Sequence, residues 1–144
     1  MKVENLRSPY EKAGGIFYFA RMLDKVRLHA GGQLPVEYQA NLGKGFDDRC
    51  CSFLHIEYAK FVDRVMAGGS EEEVLAWAFE AGRQPTAEEI EIWDEFMRKR
   101  GWNDEATSTL QRRLREGNFE HRTDVQTMFD YIDLDEGRDP ATSR

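Results

Sequence analysis

The chain has 144 residues, 40% of them hydrophobic, and carries a net charge of −7. That length and apolar content set the expectation of one domain with a buried core and argue against global disorder. The acidic balance argues against general nucleic-acid binding, which rewards a basic face. Charge is uneven: residues 1–49 carry a balance of +2, and residues 50–144 a balance of −9. The two cysteines, Cys50 and Cys51, are adjacent and form neither a disulfide framework nor a CxxC motif. They read as small apolar residues. MKVENLRSPYEK has no apolar core of a signal peptide, and no apolar run approaches the roughly 20 residues of a membrane span, so a cytoplasmic protein without membrane contact is expected.

In chain order, residues 1–15 read as a lead-in, with Ser8-Pro9 discouraging helix and Gly14-Gly15 loosening the approach to the first long helix. Ile16 to Ala30 is predicted as that helix, the central one. Ile16, Phe19, Met22, Leu23 and Val26 fall on one arc, Phe17 and Leu28 on the opposite side. A helix apolar on two sides is expected to be surrounded. Gly31-Gly32 ends it, Pro35 starts one or two turns through VEYQANL, and Gly43-Lys44-Gly45 interrupts again. Asp47 or Asp48 is expected to cap a helix carrying Cys50, Cys51, Phe53 and Leu54, and a further helix is predicted over about Glu57–Ala67.

The second half is punctuated by capping boxes, Ser70 with Glu73 and Thr86 with Glu89. Gly101-Trp102 suits a Schellman ending with an apolar contact, Asn103 or Asp104 opens the next helix, and Thr123 with Gln126 is expected to cap the last. No strand alternation of useful length is visible. The expected fold is therefore all-α: a compact single-domain bundle of six or seven short helices around the N-terminal helix, residues 1–134, and then a polar, flexible tail from Asp135.

Candidate sites start with the polar stripe Arg21, Asp24 and Arg27. One Asp cannot neutralise two Arg plus Lys25, so the remainder must be solvated, paired with acids such as Asp47, or offered to a ligand. An intramolecular salt-bridge network and an anion site are both consistent with this pattern. In the second case Arg21, Arg27 and Lys44 bind a small carboxylate or phosphate, with Tyr38, Asn41 and Asp47 beside them. Asp24 and His29 are then the acid–base candidates. NLGKGFDD is not a P-loop, and the three histidines make no metal-ligand spacing, so neither a metal nor a cofactor is expected. Arg98-Lys99-Arg100 and Arg112-Arg113 sit in last helical turns, where cations oppose the helix dipole. A protein-interaction or assembly module, with another copy or a different protein as partner, is the alternative; an exposed patch around Trp77, Trp93 or Trp102 is its mark.

The strings RSP, GG, ARMLDK, RLHAGG and NLGKGFD, with GGSEEEVLAW, IWDEFMRKRGW and DYIDLDEGR further on, resemble a bacterial family catalogued as domain of unknown function 5069. The resemblance spans nearly the whole chain and implies no activity, so it transfers no catalytic residue. That family's pattern often has glycine ahead of the apolar residue at Ile56. His55 stands there in this chain, so no family-wide role is expected of it.

Overall fold

The computed structural model describes residues 1–140. Among these residues the chain is mostly helical, with eight helices and one small hairpin. The hairpin is the first departure from expectation. β1 (Lys12–Ala13) and β2 (Ile16–Phe17) pair antiparallel, with Lys12 opposite Phe17 and Ala13 opposite Ile16. Gly14 and Gly15 between them have φ of 58° and 80°. Two consecutive positive φ values make the mirror-image turn that suits the twist of a hairpin. The double glycine is thus a turn, and Ile16 and Phe17 belong to a strand rather than to the central helix.

That helix, α1 (Phe19–Ala30), starts three residues later than expected and is surrounded, with nine of its twelve residues buried. Gly32, at φ 70°, lets the chain leave it: Gln33 N–H reaches back to the Leu28 carbonyl at 2.8 Å. A one-turn helix α2 (Val36–Gln39) comes next, then α3 (Phe46–Leu54) and α4 (Tyr58–Met66). Helices α5 (Glu71–Ala81) and α6 (Ala87–Lys99) both carry complete capping boxes, at Ser70–Glu73 and Thr86–Glu89. Between them Gly82 passes so close to α3 that a Cβ there would stand 1.9 Å from the Leu54 carbonyl oxygen. The remaining helices are α7 (Thr107–Glu116) and α8 (Met128–Asp135).

The main core gathers Phe19, Met22 and Leu23 of α1 with Leu54, Phe61, Val74, Trp93, Met97 and Phe129. α6 is tied to the hairpin by both edges of one residue's backbone: Phe17 N–H donates to Asp94 at 2.9 Å, and Trp93 Nε1 donates to the Phe17 carbonyl at 3.1 Å.

Four further expectations are corrected. Asp47 does not cap α3; Gly45 occupies that position, and the Asp47 carboxylate turns inward. Trp102 makes no Schellman contact but is 57% exposed, because Arg100 turns extended and its carbonyl accepts from Met128 N–H instead. The last helix is capped by Thr127, not Thr123. Residues 135–140, expected within a loose tail, are docked through Glu136 and Arg138; residues 141–144 of that tail lie outside the described residues.

Candidate functional site

One face of α1 looks into a cleft of about 570 Å³ bounded by α2, α3, α7 and α8. It brings together Arg21, Tyr38, Asn41 and Lys44, four of the residues singled out in the sequence. Tyr18, Lys25, Arg49, Arg100 and Arg113 join them, and so do the carboxylates Glu37, Glu116, Asp135 and Glu136.

The floor is made of buried charge, and each ion there has a partner. Arg21, only 3% exposed, holds Glu136 through two parallel bonds of 2.9 and 2.6 Å and donates a third, at 3.0 Å, to the Arg7 carbonyl. This bidentate geometry is the strong form of an Arg–carboxylate pair. Burial opposes the Arg21 cation, but the Glu136 bonds outweigh it and raise the guanidinium above its ordinary value. Glu136 also accepts from Tyr38 Oη at 2.8 Å and from Arg138 at 2.7 Å. Burial pushes its carboxyl up, yet these donors leave it below the usual carboxylate range.

Beside this pair stands a second group. Lys25 Nζ lies 2.8 Å from Oδ1 of Asp47 and donates to the Tyr18 hydroxyl at 3.1 Å. That hydroxyl in turn donates to the same Asp47 oxygen at 2.9 Å, while Gly43 N–H donates to the other at 3.0 Å. Burial lowers the Lys25 ammonium despite the pull of Asp47, and it raises the Tyr18 phenol well above its ordinary value.

The rim differs. Among the described residues, Lys44 and Arg113 have no carboxylate within ion-pair distance, and Arg49 contacts the Phe96 ring at 5.0 Å. Arg100 lies 3.4 Å from Asp104 and also faces Phe96.

The remaining expected site residues are elsewhere. Asp24 takes the Arg7 backbone N–H and two guanidinium bonds from Arg7, at 2.9 to 3.0 Å, so it orients neither Arg21 nor Arg27. Arg27 is exposed and donates to the Gly69 carbonyl; with Asp24 it lines a separate cavity of about 820 Å³ near the N-terminus. His29 is exposed in the last turn of α1 and lines neither space. Asp47 is fully buried behind the cleft, where it serves Lys25 and Tyr18. Both thiols are buried, with Cys51 pushed up to about 12 and Cys50 raised well above its ordinary value, so neither is a ready nucleophile.

Sequence reasoning missed Glu136, Tyr18 and, at the rim, the part played by Arg49, Arg100 and Arg113 beside the expected Lys44. Arg100 and Arg113 do lie near the ends of α6 and α7, as the dipole argument expects. Nothing in a one-dimensional pattern, however, shows that these two helix ends converge on α3. The need for acids to balance α1 did point to Asp47 as a partner, and the structure pairs it with Lys25.

Among the described residues no helix is long and apolar enough to cross a membrane. No curated protein matches the chain. Residues 3–138, which include the whole of the cleft, match a family described as a domain of unknown function (DUF5069), and the chain belongs to that family.

Proposed function

We propose that this is a cytoplasmic bacterial protein that binds a small anionic metabolite, a carboxylate or a phosphate, in the cleft between α1, α3, α7 and α8. The observation that carries the reading is the rim: Lys44, Arg49 and Arg113 line one concave space without an ion-pair partner among the described residues. Cations in that state, above a floor whose charges are already matched, favour an incoming anion. Tyr38 and Asn41 stand beside them as hydrogen-bonding groups. Glu37, Glu116 and Asp135 share the lining, which favours a ligand carrying hydroxyl or amine groups as well as its anionic end. Arg21 is a support in this reading, since its guanidinium is occupied by Glu136.

A thermal-shift series with phosphate, oxalate and citrate tests it. A ligand at about 100 times its dissociation constant adds roughly 2.7 kcal/mol of stability. Stabilisation that Lys44→Ala/Arg113→Ala lacks supports the site. No stabilisation across the series, or equal stabilisation of the double variant, refutes it.

One observation favours the interaction-module reading as a second choice. Ile92 and Phe96, one turn apart on α6, are 62% and 39% exposed, with Trp102 exposed beyond the helix end. Sedimentation velocity over a range of concentrations separates a self-associating chain from a monomer.

A further inference from the structure

The floor of the cleft holds more chemistry than anion binding requires. Lys25 and Tyr18 line the cleft although they are only 6% and 3% exposed. The Lys25 ammonium has three protons and two acceptors, Asp47 and the Tyr18 hydroxyl, so one N–H has no protein acceptor among the described residues. Tyr18 sits at φ 80°, a left-handed conformation rare for an aromatic residue, at the start of α1. A Lys–Asp ion pair alone needs no such backbone. What the conformation accompanies is a hydroxyl bridging Lys25 Nζ and Asp47.

We propose that Lys25 is a reactive amine, and that the cleft takes a small anion bearing an aldehyde or ketone, an oxo acid or a phosphorylated carbonyl compound, whose carbonyl carbon Lys25 captures as an imine. This rests on the anion-binding reading, which supplies the rim that holds the carboxylate or phosphate. Asp47 accepts one proton from the Lys25 ammonium. The freed lone pair on Nζ attacks the carbonyl carbon; the C–N bond forms as the C–O π bond breaks onto oxygen, which takes a proton from the Tyr18 hydroxyl. Tyr18 recovers that proton from Asp47. The second nitrogen proton then reaches the new hydroxyl, which departs as water. Ammonium and carbonyl thus become a protonated imine and water, with no net proton change and no oxidant or reductant.

The surroundings suit that chemistry. Burial lowers the Lys25 ammonium, Asp47 opposes this, and the nearby Arg21 cation adds to the lowering while Glu136 counters it. A lowered amine has a larger neutral fraction, as nucleophilic lysines require. Tyr18, raised by burial and by Asp47, stays protonated and can donate.

The test is reductive trapping of the intact wild-type protein with glyoxylate and sodium cyanoborohydride, read by intact mass and peptide mapping. Reduction of the imine leaves one carboxymethyl group on the lysine. Lys25 is expected to be labelled ahead of the exposed Lys60 and Lys99, because the cleft holds the carboxylate of glyoxylate beside its amine. Labelling confined to the exposed lysines overturns the proposal. Oxalate has no aldehyde or ketone. If it stabilises the protein while glyoxylate leaves Lys25 unlabelled, the imine is refuted and the anion site stands. If neutral acetaldehyde labels Lys25 as fast as glyoxylate, the reactive amine stands and the anion-binding reading fails.

Discussion

The floor and the rim of the cleft are built from the same kinds of residue, yet they obey different rules. On the floor, Arg21 and Lys25 are 3% and 6% exposed, and each meets a carboxylate from another element: Glu136 beyond α8, Asp47 on α3. At the rim, Lys44 and Arg113 lack such partners among the described residues. A buried cation must be matched by the protein itself, because removing one partner leaves an uncompensated charge away from water. An exposed cation is hydrated at little cost and stays available. The same charge is structural in one layer and open to a ligand in the next.

Breaking the floor is therefore expected to be costly. Glu136→Ala strips Arg21 of its bidentate partner and should lose about 3–5 kcal/mol of stability, read as a lower denaturant midpoint at unchanged slope. The loss has a pH signature. The Glu136 carboxyl is held below its ordinary value in the folded state. Its contribution is accordingly complete above the unfolded value, about 4.3, and is lost as pH falls through the lower folded value. The gap between wild type and Glu136→Ala should narrow below about pH 4; a gap constant down to the acid transition would refute the assignment.

Tyr38→Phe probes the boundary between the layers. It removes one of four hydrogen bonds to Glu136 while leaving both Arg21 and Arg138 in place. An intermediate loss of about 1 kcal/mol is expected, measurable in the same denaturant titration. Lys44→Ala and Arg113→Ala, at the rim, should each change stability by less than about 0.5 kcal/mol without ligand. A loss comparable to that of Glu136→Ala would mean that the rim is structural too.

Local grammar was legible in the sequence. The capping boxes at Ser70 and Thr86 are each complete within four residues, and both form as expected. Enclosure of α1 was expected and is found, but the second apolar side rested partly on Phe17, which lies in β2; Arg21, Asp24 and Lys25 are buried with Leu28 instead. What was not legible depended on partners distant in the chain or on short elements. Two-residue strands are too brief to show alternation, so the Gly14-Gly15 turn passed for a loose approach to a helix. DEGRD reads as a solvated tail because polar residues usually stay outside. Glu136 is buried there among donors that include Arg21, 115 residues earlier, and Tyr38, 98 residues earlier. The surplus of cation on α1 did announce that acids or a ligand must come from elsewhere. Much of the answer was Glu136 and Asp47, and the basic surface left open is Lys44 ahead of α3, Arg49 on α3 and Arg113 on α7.

The Arg21–Glu136 bond has a consequence for how the chain matures. The ribosome delivers Arg21 115 residues before Glu136, so the first helices made cannot close around α1 without trapping a bare cation. Closing α1 before the turn beyond α8 is made carries the cost of a buried, unmatched cation, so late-made residues latch early ones.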